Sequence, residues 1–195
     1  MGLILASGSP RRRDLLQTSG IVLKAIRTSD IEELRQAEEA PEVYCRRLAR
    51  EKAEAVAKLL KAEGESSDWV LAADTIVALG ADIFEKPADD LDAYTMLRKL
   101  STDWHLVLSA WHLLKVDGTK RESGVCHSEV RFRPLSDREI HCYISTGEGR
   151  DKAGSYGIQG LGAALIEEIR GSYSNIVGLP LHDVVTAIRS NNAES

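Results

Sequence analysis

The run Leu5-Ala6-Ser7-Gly8-Ser9-Pro10-Arg11-Arg12-Arg13 ends an apolar segment, turns on serine and glycine, and opens a helix. Ser9 takes the N-cap and Pro10 the first helical position. A helix start presents unpaired backbone N–H groups and partial positive charge, which suits an anion. Three arginines in that first turn oppose the macrodipole, at about 0.3–1 kcal/mol each if exposed. Asp14 offsets only part of this. A bound polyanion would make the arrangement favourable; a solvated basic helix end is the alternative.

Two further signals are charges placed against an apolar pattern. Leu48, Ala49, Ala53, Val56 and Leu60 form the apolar stripe of a long helix, and Lys52 lies within it. A lysine there either snorkels or meets an anion in a cleft. Arg46, Arg47 and Arg50 read as ordinary, with i,i+4 pairs Glu42–Arg46 and Arg47–Glu51. Asp74 stands between the apolar segments Val70–Ala73 and Thr75–Leu79, where a carboxylate is costly unless paired or metal-bound. A strand-end aspartate capping a turn is the plainer reading. Glu32, Glu33 and Glu85 add loop carboxylates, a ligand type that suits magnesium or manganese. Lys86, ahead of Pro87, adds a loop cation. The segment from Asp151 to Gly160, with Gly154, Gly157 and Gly160, permits tight turns. Within it Tyr156 can stack, and Gln159 can both donate and accept. By pattern alone it is a flexible glycine-rich loop.

The elements that must position these residues follow from periodicity and turn signals. Strands are predicted at Leu3–Ala6, Val22–Ile26, Val70–Ala73 with Thr75–Leu79, Leu106–Leu114, Val125–Phe132 and Ala163–Ile169. Helices are predicted from Pro10 to Gly20, from Pro41 to Gly64, over Asp89–Leu100, from the capping box at Ser136 and Glu139, and over Leu181–Arg189. Gln36–Glu42 reads as a mobile acidic loop, and Ser190–Ser195 as a frayed tail. Strands and helices mix without strict alternation, so the expected fold is a mixed α/β sheet flanked by helices. The 195 residues suit a single domain.

Composition narrows the function classes. The chain is 43% apolar and 28% charged, an ordinary globular balance, with a formal net charge of −5. An acidic chain is a poor general binder of nucleic acid or anionic membrane, so an anion site must be local. No apolar run approaches the ~20 residues that cross a bilayer, and the N-terminus lacks the basic region of a signal peptide. Cys45, Cys126 and Cys142 are odd in number and far apart, which points to a reducing cytosol. The histidines have no metal-ligand spacing; His105 reads as core or as a residue behind the site rather than a ligand, and His182 as solvated. The P-loop pattern is absent.

Together these segments resemble the Maf family of nucleotide pyrophosphatases. The matching pieces are Ala6–Arg12, Arg47–Ala53, Ala73–Val77, Glu85–Pro87, Asp151–Gly160 and Val177–Pro180, in family order along nearly the whole chain. The resemblance implies one Maf-like domain over residues 1–195, with two lobes, a central cleft and kinship to the inosine triphosphatase group. It also implies a cytoplasmic homodimer, a divalent cation (magnesium or manganese), and hydrolysis between the α- and β-phosphates. Asp74 matches the family's general base. Ser7, Arg11, Arg12, Lys52 and Lys86 match its phosphate-handling positions, and Glu33 a cleft carboxylate. Glu33 and Asp74 are the implied metal ligands, although Asp74 cannot easily be both sole base and tight ligand. Thr75, Gln159 and Arg11 match positions linked to base choice.

Two positions depart from the family pattern: Gly149 replaces a usual proline, and Ser109 a usual threonine. The resemblance is to the branch acting on dTTP and UTP, with modified pyrimidine nucleotides as further substrates in a house-cleaning role. The branch acting on 7-methyl-GTP carries Ser-Asp-Gln at the first place and glutamate in place of Gln159. A modified-purine pyrophosphatase and a non-enzymatic septum or division regulator are the competing readings.

Overall fold

The computed structural model describes residues 2–193, with side chains up to 191. Seven strands form one mixed sheet in the order β2-β1-β3-β5-β6-β7, with β4 paired to β3. The chain divides into two compact units, Met1–Asp74 with Ser109–Cys126 and Gly178–Ser195, and Thr75–Leu108 with His127–Val177.

In the first unit, β1 (Leu3–Leu5) pairs in parallel with both β2 (Leu23–Ile26) and the start of β3 (Trp69–Leu79). β1 and the Trp69–Asp74 part of β3 are continuously buried, as parallel strands covered on both faces require. The pleat sorts their side chains. Leu3, Leu5, Trp69, Leu71 and Ala73 pack with Leu16 of α1 (Pro10–Thr18) and with Val184, Ala187 and Ile188 of α6 (Leu181–Ala193). Ile4, Ala6, Val70 and Ala72 pack against Ala53, Val56, Ala57 and Leu60 of α2 (Pro41–Ala62). By the same period of two, Asp74 follows Val70 and Ala72 onto the α2 face. β3 is therefore one uninterrupted strand, and its aspartate is an inward-facing member rather than a turn cap.

The second unit contains the Thr75–Leu79 part of β3, β4 (Asp82–Phe84), α3 (Asp90–Leu100), α4 (Asp137–Ser145), β7 (Ile166–Arg170) and α5 (Tyr173–Val177). The remaining strands, β5 (His105–Lys115) and β6 (Arg121–Phe132), each contribute residues to both units. Leu97, Leu100, Val130, Phe132, Ile140, Tyr143 and Tyr156 anchor this unit's core. The capping box forms as expected: Ser136 Oγ accepts from Glu139 N, and Glu139 accepts from Ser136 N.

Some boundaries differ from expectation. The strand predicted from Ala163 begins at Ile166, because Gly160–Leu165 winds into a 3-10 turn whose N–H groups are taken by a side chain rather than a neighbouring strand. The closing helix continues through Ser190 to Ala193, and Glu194 and Ser195 lie outside the described residues. In the acidic loop, Glu39 is buried and ion-paired to Arg47, so the segment is tied down by that contact. β4 and α5 were not anticipated; each is too short for a period to show.

His105 is core, as its strand position suggests. It is 1% exposed, and its Nε2 lies 2.8 Å from Tyr156 Oη. Burial pushes its pKa down from 6.5 to about 4. The unfolded chain thus binds a proton that the folded one refuses between these values. Stability from this group is complete above pH 6.5 and is lost as pH falls towards 4, by about 3 kcal/mol in all. Urea unfolding from pH 7 to 4 should show this slope in the wild type. The His105→Gln variant, which keeps an acceptor for Tyr156, should show a shallower one; equal slopes would contradict the assignment.

Candidate functional site

The site residues of the first unit come from three local structures. β1 ends at Leu5, and the turn Ala6–Ser9 leads into α1. Ser9 occupies the N-cap position, but its side chain makes no capping bond. Ser7 is the organising hydroxyl instead: its Oγ accepts from Ser9 N at 3.3 Å and from Arg12 Nη1 at 3.0 Å. Arg12 Nε donates to the carbonyl of Gly178 at 2.8 Å, so the guanidinium is held from two sides. Burial lowers the Arg12 pKa, against the opposing pull of Asp74 and of Glu33. The three arginines are thereby separated. Arg12 turns inward, Arg13 pairs with Asp14, and Arg11 is half-buried beside them.

Lys52 resolves the question its position raised. It does not snorkel to solvent. Its Nζ lies 2.7 Å from Asp74 Oδ1 and 2.8 Å from Glu33 Oε2. The side chains of Lys52 and Asp74 are 12% and 9% exposed, whereas Glu33 is 50% exposed, so Glu33 is the carboxylate open to solvent. Asp74 Oδ2 makes no hydrogen bond among the described residues. Cys45 Sγ donates to the Asp74 carbonyl at 3.4 Å. Burial, with help from Asp74, pushes the Cys45 thiol up to about 12, so it stays neutral and unreactive.

Sequence reading missed what holds Glu33. Arg47 pairs with Glu51 as expected, but its main partner is Glu39, reached through Nε and Nη2 at 2.7 Å each. The same guanidinium donates to the Leu34 carbonyl at 2.8 Å, and Tyr44 Oη donates to the Glu33 carbonyl at 3.0 Å. α2 thus holds the backbone of the Glu33 loop with the same helix that presents Lys52. Removing one partner of a buried pair leaves the other charge uncompensated. Arg47→Met should therefore destabilise the protein by about 3 kcal/mol, with most of the loss recovered in the Arg47→Met/Glu39→Met double variant. Denaturant melts check both, and a double variant less stable than either single one would contradict the account.

Glu33 and Asp74 form an all-oxygen donor pair of the hard kind that magnesium and manganese take. Lys52 cancels one of their two charges. Among the described residues no group of three or more His, Cys, Asp or Glu side chains is placed to hold a metal. The pair fits a cation held by one or two carboxylates plus substrate phosphates, the usual magnesium arrangement.

Residues 2–191 match the family model described as Maf-like protein. The chain belongs to the Maf family. It is 47% identical over 188 residues to the dTTP/UTP pyrophosphatase of Hahella chejuensis, covering 96% of this chain and 90% of that one. It is 44% identical to the dTTP/UTP pyrophosphatase of Shigella sonnei, covering 98% and 93%. Among solved structures it is similar to a HAM1 protein from Coxiella burnetii, with a TM-score of 0.53 and 15% identity, covering 97% of this chain and 99% of that one. That likeness concerns the fold alone, and agrees with the mixed α/β sheet expected from sequence.

Of the family positions carried onto this chain, Ser7, Arg12, Glu33, Lys52 and Asp74 are brought together in the first unit, with Arg11 next to Arg12. Thr75, directly after Asp74, is half-buried in β3. Lys86 and Gln159 belong to the second unit and are exposed. Gly149 also lies there. A Cβ on it would stand 2.1 Å from the Ser155 carbonyl oxygen, so the backbone packs closely instead of loosening. No helix among the described residues is long and apolar enough to cross a membrane.

Proposed function

We propose that this Maf chain hydrolyses dTTP and UTP to the nucleoside monophosphate and pyrophosphate, as one catalytic domain and as a cytoplasmic homodimer. The observation that carries the reading is the Asp74–Lys52–Glu33 bridge at 2.7 and 2.8 Å beside the inward-turned Arg12. It places a carboxylate with one unengaged oxygen, an open carboxylate and two fixed cations in one region of the first unit. The names of the relatives at 44–47% identity support the choice of substrate.

The chemistry balances with these residues. Water attacks the α-phosphorus, a new P–O bond forms, and the bond to the β-phosphate oxygen breaks. Asp74 Oδ2 orients the water and takes its proton, while Lys52 fixes the carboxylate through Oδ1. Arg11, Arg12, Lys52 and Lys86 neutralise the triphosphate and the leaving pyrophosphate, with Ser7 adding a hydroxyl contact. With Asp74 acting as the base, Glu33 together with the substrate phosphates would hold the divalent cation, which when bound polarises phosphate oxygens.

Gln159 selects the base, with Thr75 and Arg11 contributing. Thymine and uracil present two carbonyl acceptors around one N–H donor, and a glutamine amide matches an adjacent acceptor and donor at once. Cytosine reverses part of that edge. A site built for one edge rejects another because its own polar groups are left unpaired. Gln159→Glu should lower kcat/KM for dTTP and UTP by at least about tenfold with little change in melting temperature, since Gln159 is exposed. Steady-state kinetics on dTTP, UTP, CTP, GTP and 7-methyl-GTP test this. An unaltered preference in the variant would remove Gln159 from base selection.

A further inference from the structure

Gln159 lies, exposed, in a segment whose two ends are held by side chains. Glu148, the residue before Gly149, accepts from Leu161 N and from Gly162 N at 2.8 Å each. Tyr143 Oη donates to Glu148 Oε1 at 3.1 Å and accepts from Gly157 N at 3.3 Å. Lys152 Nζ donates to the Glu148 carbonyl. The two ends of the segment 157–162 are therefore gripped by one carboxylate and one phenol. The backbone is shaped to allow it. Gly160 has φ +65°, and a Cβ on it would lie 2.4 Å from Glu148 Oε2; one on Gly162 would lie 2.2 Å from the Gly157 carbonyl oxygen. Only glycine fits this close approach. Burial pushes the Glu148 carboxyl up, but the Leu161 and Gly162 N–H groups and Tyr143 outweigh it and hold it below the usual range.

We infer that Glu148 and Tyr143 are the positioning residues of base selection: their clasp on the backbone of residues 157–162 fixes where Gln159 presents its amide to the pyrimidine. The inference rests on the proposed role of Gln159. The loop is glycine-rich by composition, and a free loop of that kind would spread Gln159 over many positions at an entropic cost to each binding event. The clasp removes that freedom at residues 157, 161 and 162 and leaves the Gln159 side chain exposed. Neither clasp residue touches the base in this account, so their effect passes through Gln159.

The test is the ratio of kcat/KM for dTTP to kcat/KM for CTP, measured in one preparation so that the active fraction cancels. Gln159→Ala should lower this ratio at least about tenfold. Glu148→Ala should lower it similarly, mainly by raising KM for dTTP with kcat changed far less, the pattern of lost uniform binding. Glu148→Gln should not rescue it, because the amide NH₂ cannot accept the second backbone N–H. Tyr143→Phe keeps the carboxylate and should give a smaller fall, and it decides the matter if the Glu148 variants fail to fold. A ratio within about twofold of wild type in Glu148→Ala, or in its place Tyr143→Phe, while Gln159→Ala has lost selectivity, overturns the clasp. An unchanged ratio in Gln159→Ala instead overturns the role of Gln159, and the clasp inference with it.

Discussion

Asp74→Asn is expected to lower kcat for dTTP by about 10²–10⁴-fold, the usual cost of losing a general base. Asparagine has the same shape and keeps a carbonyl oxygen where Oδ1 now accepts from Lys52, so the β3 pleat and the α2 contact persist. It has no second basic oxygen to take the proton from water. Lys52 also retains Glu33 at 2.8 Å, so the substitution does not strand the ammonium. The melting temperature should therefore stay near that of wild type while turnover collapses. Paired kinetic and thermal measurements separate the two effects. A folded variant turning over near the wild-type rate would exclude Asp74 as the base.

Lys52→Met should cost about 10²–10³-fold in kcat/KM, the range for removing one preorganised donor at a developing charge. Methionine keeps the aliphatic stem that packs within the α2 stripe but removes the charge. Two carboxylates then remain without the ammonium that lies within 2.8 Å of both, and the triphosphate loses a fixed cation. The rise in melting temperature produced by nucleotide should shrink in parallel, because ligand stabilisation scales with affinity. Lys52→Arg should recover only part of the activity: a planar fork does not replace a compact ammonium between two acceptors. An undiminished nucleotide-induced shift in Lys52→Met would make Lys52 a purely structural residue.

Much of this site was legible because its residues break a pattern. Lys52 interrupts an apolar helical stripe and Asp74 an apolar strand, and the structure joins these two anomalies in one ion pair. Such violations are visible in a single sequence because the surrounding period defines what should stand there. Arg47–Glu39 was not legible. The i,i+4 relation to Glu51 offered a sufficient local partner, and the buried one sits in the preceding loop, outside any helical period. Glu148 left no sequence signal of its own, since its partners are backbone N–H groups that every residue but proline possesses. The glycines at 157 and 160 were the available hint, and they read as flexibility whereas their contacts show closure. The core elements followed from periodicity, while β4, α5 and the 3-10 turn ahead of β7 are set by contacts too local or too tertiary for a period to register.

The central claim is hydrolysis at the α–β bond with pyrimidine preference, and the most direct measurement is product identity across a nucleotide panel. Wild-type protein would be incubated with dTTP, UTP, CTP, GTP and 7-methyl-GTP, each with magnesium, manganese or no added metal. Monophosphate, pyrophosphate and orthophosphate would be separated and quantified. The account predicts equal amounts of monophosphate and pyrophosphate, dependence on the divalent cation, and the highest kcat/KM for dTTP and UTP. Orthophosphate released together with the diphosphate would contradict attack at the α-phosphorus, and higher kcat/KM for 7-methyl-GTP than for both dTTP and UTP would contradict the substrate assignment.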